Sequence, residues 1–351
     1  MKFSDIIGQQ HIKEHFQSSI MNGTLSHAYI INGEKSTGKT MLAKAFAMAI
    51  MCDMEGSEPC LECDSCKKII NKCNPDVITL VRDTKKKTDI IGIDEIRSQI
   101  IAGMYDRPYY GERKVYIIED ADKMNVQAQN ALLKTLEEPP GYAVLILTTT
   151  NASRLLPTIL SRCIVLNMRP VTDKVIRSYL REQDRFLDDT IDVIVAMSSG
   201  NIGKAKLLSE DKDFITFQND VLDILKSIPN SDYRRVLDGV EKLSLYTGNL
   251  KQKKKKSETK DVKIYSTEEV FDIFVLWYRD VLLFKATEDT NNLIFKKEAT
   301  EIAKQSMYFK YDSLNIVIQM IEDAKSKIKS NLKFSSVMEI LLINIQEISK
   351  K

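Results

Sequence analysis

The chain has 351 residues, 51 of them basic and 49 acidic, for a net charge of +2. With 43% hydrophobic and 28% charged residues and no unbroken apolar run of transmembrane length, it reads as a globular protein of two or three domains without a membrane span. The even charge balance excludes a dedicated nucleic-acid binder, so any DNA contact would be local or shared with partners. Met1-Lys2-Phe3-Ser4-Asp5 leads into a polar, amphipathic stretch with no continuous apolar core, which is unlike a signal peptide, so a cytoplasmic location is expected.

The first strong signal is the apolar run Ala28-Tyr29-Ile30-Ile31, then Gly33-Glu34-Lys35-Ser36-Thr37-Gly38-Lys39-Thr40, then a helical pattern from Lys39 to Ile50. Strand, G-x-x-x-x-G-K-T loop and helix in that order form a phosphate cradle. Main-chain N–H groups and the helix N-terminus supply positive potential, Lys39 reaches the outer phosphates, and the Thr40 hydroxyl can ligate magnesium. Gly33, Thr37, Gly38, Lys39 and Thr40 are therefore the expected contacts for ATP or ADP with Mg2+. The plainer alternative is a glycine-rich turn that binds nothing.

Four of the six cysteines, Cys52, Cys60, Cys63 and Cys66, crowd together just after that helix. Cys60-x-x-Cys63-x-x-Cys66 can aim three thiolates at one point and Cys52 can close a tetrahedron, the arrangement of a structural Zn2+ site with no open coordination position. Disulfides suit a small secreted domain rather than a cytosolic nucleotide binder. An iron–sulfur cluster is the other alternative, but Cys73 lies too far along and has no immediate proline. Cys73 and Cys163 are expected to be reduced, packed thiols.

Further on, Val77 to Val81 reads as a strand and Ile93 to Met104 as a helix with Ile93, Ile96, Ile100 and Met104 on one face. Val115 to Ile118 is a buried strand, Gln127 to Leu136 a helix stopped by Pro139-Pro140, and Ala143 to Leu147 and Ile164 to Leu166 two more strands. This alternation predicts an α/β fold with a parallel sheet covered on both faces and ligands at the carboxyl ends of its strands. Glu119-Asp120 falls at such an end, where nucleotide hydrolases place one carboxylate for magnesium and a second to activate water. Alternatively, the two acids merely end a strand in solvent. A motor ATPase of the ring-forming class has Asp then Glu, the reverse of this order. Asp is shorter than Glu by one methylene, about 1.5 Å of reach, and a misplacement of about 1 Å can cost on the order of 10²-fold in rate.

Asn130-Ala131-Leu132-Leu133-Lys134-Thr135-Leu136-Glu137-Glu138-Pro139-Pro140 is followed by Thr148-Thr149-Thr150-Asn151 and by Leu156-Pro157-Thr158-Ile159-Leu160-Ser161-Arg162-Cys163. Together these closely resemble the AAA+ clamp-loader family of bacterial DNA polymerase III. The likeness begins at Phe3-Ser4-Asp5-Ile6-Ile7-Gly8-Gln9, takes in Ser26-His27-Ala28-Tyr29 and the cysteine insertion, and covers about residues 1 to 210. It implies a nucleotide-binding AAA+ domain over 1–169 with the zinc insertion at about 52–76, a helical lid over 170–211 and an all-α collar over 212–351. It also implies γ/τ and δ subunits as partners in a hetero-oligomeric ring that engages the sliding clamp and primer-template DNA.

In this family the arginine of Ser-Arg-Cys reaches a neighbour's γ-phosphate, which by position implies Arg162 as a catalytic group acting in trans; a surface or salt-bridge arginine is the alternative. Motor subunits carry an arginine in a Gly-x-x-Arg turn, whereas Gly200-Asn201-Ile202-Gly203 ends in glycine. Lys204 follows, but one position along a helix points about 100° away. Gly203 and the reversed acids make the chain resemble the non-motor δ′ class, which turns over little nucleotide and performs no polymerase chemistry. An active γ/τ-like ATPase motor and a nucleotide-binding scaffold outside replication are the competing expectations.

After Asp211 the pattern becomes long helices, with Phe271, Phe274, Val275, Tyr278 and Val281 to Leu283 on an apolar face beside Trp277. Periodicity alone does not separate a collar from an ordinary helical bundle. The basic run Lys251-Gln252-Lys253-Lys254-Lys255-Lys256 reads as a solvated loop or as a phosphate or partner contact.

Overall fold

In the computed structural model, residues 1–54, 56–81, 90–249 and 264–350 are described; the Lys251–Lys256 run lies outside them. They divide into two units, Met1–Val171 with Asn201–Lys204, and Thr172–Gly200 with Ala205–Lys351.

The apolar runs of the first unit become strands of one parallel sheet. In chain order its elements are α1 (Gln10–Met21), β1 (Ala28–Asn32), α2 (Lys39–Ile50), α3 (Asp64–Ile70), β2 (Val77–Leu80), α4 (Ile93–Ile96), a π-helical turn (Arg97–Ile101), α5 (Ala102–Met104), β3 (Lys114–Ile118), α6 (Val126–Glu137), β4 (Ala143–Thr149), α7 (Pro157–Leu160) and β5 (Ile164–Asn167). The strand order is β2-β3-β4-β1-β5, with every pairing parallel. Every residue of β3 and β4 is buried, as β-branched runs covered on both faces require.

Successive side chains point to opposite faces, so one strand feeds two cores. Ile30, Tyr116, Ile118, Leu145 and Leu147 join Ile96, Ile100 and Met104 on one face. Tyr29, Ile31, Val115, Ile117 and Ile146 pack against α1 and α2 on the other. There Phe16 stacks on Phe46 with centroids 3.7 Å apart, and Tyr29 meets Phe46 edge-on at 5.1 Å. The expected helix from Ile93 to Met104 is present with a π turn in its middle, and Ile96, Ile100 and Met104 still share its buried face.

The second unit is helical: α8 (Asp173–Arg181), α9 (Asp188–Ser198), α10 (Ile202–Glu210, its first turn counted with the first unit), α11 (Phe214–Ser227), α12 (Tyr233–Tyr246), α13 (Thr267–Thr287), α14 (Ala299–Tyr308), α15 (Tyr311–Lys329) and α16 (Phe334–Ser349). A capping box starts α13: Glu269 N–H donates to Ser266 Oγ at 3.2 Å and Ser266 N–H donates to Glu269 Oε2 at 2.7 Å. Trp277, which the apolar pattern of α13 sets beside the buried face, is wholly buried within it. Its indole N–H donates to Gln305 Oε1 at 2.9 Å, and Gln305 donates to the Leu225 carbonyl at 2.9 Å, so a polar partner reached across the bundle makes that burial tolerable. Among the described residues, no helix is long and apolar enough to cross a membrane.

Candidate nucleotide and metal sites

The carboxyl ends of β1, β3 and β4 bring the phosphate loop, the acidic pair and Thr148-Thr149-Thr150 to one edge. Gly38 opens α2 at φ 93°, a left-handed conformation that disfavours a side chain. Lys39 is buried, and its ammonium donates to the Gly33 and Glu34 carbonyls at 2.8 and 2.6 Å. Burial pulls its pKa down, while Asp120, Asp122 and Glu34 pull the other way. The ammonium is thus held by main-chain oxygens of the loop itself, a contact that phosphate oxygens could replace, with Thr40 next in sequence for a metal.

The acids divide three ways. Glu119 is half-buried and ion-paired to Lys44 of α2 at 3.0 Å. Asp120 sits in the left-handed region at φ 52°, with its N–H donating to Thr148 Oγ1 at 3.3 Å. Asp122 is buried and accepts from Thr149 Oγ1 and Thr150 N–H, both at 2.9 Å, and from Thr150 Oγ1 at 3.0 Å. Burial alone would raise its pKa, yet these hydrogen bonds hold it below the usual carboxylate range.

Asn201 ties the start of α10 to the loop. Its Oδ1 accepts from Lys204 N–H at 3.1 Å, capping the helix, while its Nδ2 donates to the Lys35 carbonyl at 2.7 Å. At Gly203 an added Cβ would stand 1.8 Å from the Ser36 carbonyl oxygen, so no side chain fits there, least of all an arginine. Gly203→Ala is expected to lower stability by about 1 kcal/mol or more in urea unfolding, because overpacking against main chain outweighs the helical gain of alanine. An unchanged midpoint would contradict this close approach.

The four clustered cysteines converge, with all four sulfurs within 4.8 Å of one another. Cys52 and Cys63 are 4.0 Å apart, as are Cys60 and Cys66. Tetrahedral thiolates at about 2.3 Å from a metal would sit about 3.8 Å apart, so the group is spaced to hold a single ion. Main-chain N–H groups converge too: Glu62 and Cys63 donate to Cys60 Sγ at 3.4 and 3.3 Å, and Cys66 donates to Cys63 Sγ at 3.4 Å. The two donors on Cys60 bring its pKa down to about 6, while burial raises those of Cys63 and Cys66. Cys163 is half-buried and packs against the sheet core, in line with the expected packed thiol, its pKa pushed up to about 12 by burial; Cys73, expected to be packed, is exposed.

Arg162 lies just before β5, which runs parallel to β1 with Ile164 paired to Tyr29. Gly33 is four residues further on, or about 13 Å along the strand direction. Arg162 therefore sits at the opposite end of the sheet from its own phosphate loop. Its guanidinium donates to the Thr158 carbonyl at 3.0 Å and pairs with Glu137 at 2.8 Å, on side chains 34% and 50% exposed.

Residues 8–172 match the sequence model of a family described as DNA polymerase III, delta subunit. The chain is 29% identical to Bacillus subtilis DNA polymerase III subunit delta′ over 97% of its own length and 96% of that protein's. It is also 29% identical to the tau subunit of that bacterium over 90% of its length, and 36% identical to Mycoplasma pneumoniae gamma/tau over 52%. The chain is similar to clamp-loader subunits of DNA polymerase III. It spans only 57% of the tau sequence and 26% of the Mycoplasma one.

The family match takes in the whole sheet, the phosphate loop, the four cysteines and Arg162. Gly33, Thr37, Gly38, Lys39 and Thr40 share one loop and helix start, and Cys52, Cys60, Cys63 and Cys66 share one point. Three partnerships escaped the sequence reading: Lys44 with Glu119, Asp122 with the threonines, and Asn201 with Lys35. Only the last left a sequence signal, because asparagine is favoured just ahead of a helix.

Proposed function

We propose that this chain is a non-motor clamp-loader subunit of the δ′ type, which helps load the sliding clamp onto primer-template DNA by lending Arg162 to a neighbouring ATPase. The observation that carries the non-motor reading is Gly203 against the Ser36 carbonyl, at the position where a motor holds its sensing arginine. Glu119 supports it, being engaged by Lys44, and so does Asp120, the shorter acid. Arg162 stands too far from the chain's own loop to serve it, which favours action in trans. Correspondence with a delta′ subunit over nearly the full length of both chains points the same way.

In this reading the partners are γ/τ and δ subunits in a cytoplasmic hetero-oligomeric ring, with the helical residues divided into a lid over 170–211 and a collar over 212–351. The chain is a component of the polymerase holoenzyme without polymerase chemistry of its own. The four cysteines hold a structural Zn2+, since a multi-iron core would force the sulfurs wider apart. ATP or ADP with Mg2+ binds Gly33, Thr37, Gly38, Lys39 and Thr40 without efficient turnover. The complete G-x-x-x-x-G-K-T loop and the likeness to tau favour a second reading, an active motor. ATP turnover by a complex reconstituted with Arg162→Ala in this chain alone tests the proposed role.

A further inference from the structure

Asp76 is wholly buried, and its two carboxylate oxygens are taken by consecutive main-chain donors, Tyr109 N–H at 2.8 Å and Tyr110 N–H at 2.6 Å. A buried carboxylate is tolerated only when hydrogen-bonded in this way, so the pairing clasps the loop that leads into β3. The loop presents two rings to solvent, Tyr109 at 75% and Tyr110 at 48% exposure. The Lys68 ammonium of α3 lies 3.8 Å from the Tyr110 ring centre. Lys67 on the same helix, Lys72 beyond its end and Arg107 in the loop are all exposed, against the loop's acids Asp106 and Glu112.

Two exposed rings on a loop whose main chain is clasped, with cations in the loop and on the helix whose Lys68 meets Tyr110, suit a ligand with flat bases and repeated phosphates; an acidic peptide would use the cations and leave the rings without stacking partners. We propose that Tyr109 and Tyr110, with Lys67, Lys68, Lys72 and Arg107, form a sequence-independent contact for single-stranded nucleic acid. This surface precedes β3 at the amino-terminal edge of the sheet, whereas the phosphate loop follows the carboxyl end of β1. Its occupancy requires no nucleotide, so it stands or falls separately from the role of Arg162.

The test is fluorescence anisotropy of the full chain with labelled oligo(dT) and oligo(U) of about twenty nucleotides and a duplex of equal length, over a salt series. Binding to either single strand, stronger than to the duplex, is expected, with log K falling by about 0.7 per phosphate neutralised as log salt rises. The relative strength of the two oligomers assigns the contact to DNA or RNA. Replacing both rings, Tyr109→Ala with Tyr110→Ala, should weaken binding at least about tenfold. The pair Tyr109→Phe and Tyr110→Phe should bind like the unaltered chain, and Lys68→Gln should flatten the salt slope. Absence of binding, preference for duplex, full affinity in the double alanine variant, or equal loss in the phenylalanine pair would overturn the assignment.

Discussion

Arg162→Ala should leave the chain folded and able to assemble, yet cut ATP hydrolysis at the adjacent motor site by about 10³- to 10⁵-fold. That range is about 4 to 7 kcal/mol of transition-state stabilisation. The magnitude decides whether the guanidinium can leave its present partners. Its pair with Glu137 is open to solvent, the arginine half-buried and the glutamate exposed, and such surface pairs are worth about 0 to 1 kcal/mol. The contact with a transferring phosphoryl group therefore outweighs the resting one. Arg162→Lys should recover little, because a point charge lacks the planar fork that spans two oxygens. Size-exclusion chromatography checks assembly and steady-state turnover reads the effect. Turnover that is unchanged in an intact complex would reject the finger.

Removing the metal is expected to have the second largest effect. Elemental analysis of the purified chain should find about one zinc, and Cys66→Ser should abolish it. Zinc contributes about 10 to 16 kcal/mol of binding free energy in small zinc-finger peptides. Even a fraction of that is large against the stability of a typical domain, about 5 to 15 kcal/mol. Cys66 is the buried member of the four, so its variant leaves three thiolates without their anchor. Both the variant and chelator-treated protein should melt well below the untreated chain, as followed by circular dichroism. A metal-free preparation with an unaltered melting curve would contradict a structural ion.

The features that were legible in the sequence are those written in contiguous residues. Val115 to Ile118 and Ala143 to Leu147 are runs that only a doubly covered sheet can bury, and they form its interior. Cys60-x-x-Cys63-x-x-Cys66 brings its sulfurs together because the spacing is local and α3 begins inside it. What escaped depends on residues that meet only after the chain has folded. Asp122 finds its threonines 27 and 28 positions away, and Asn201 finds Lys35 across 166. The Lys44–Glu119 pair arises because α2 packs over β3, and no periodicity encodes that. Trp277 shows the same limit on a helix: its burial depends on Gln305, a residue of α14. Glycine at position 203 was readable, but the Ser36 carbonyl that leaves no room there for a side chain was not.

Steady-state ATP hydrolysis by the purified chain, in magnesium and without any motor subunit, tests the central claim most directly. The account predicts turnover at background level, the same for the unaltered chain and for Lys39→Ala, because Glu119 is engaged by Lys44 and Asp120 lacks reach. Brisk hydrolysis by the lone chain that disappears in Lys39→Ala would contradict it.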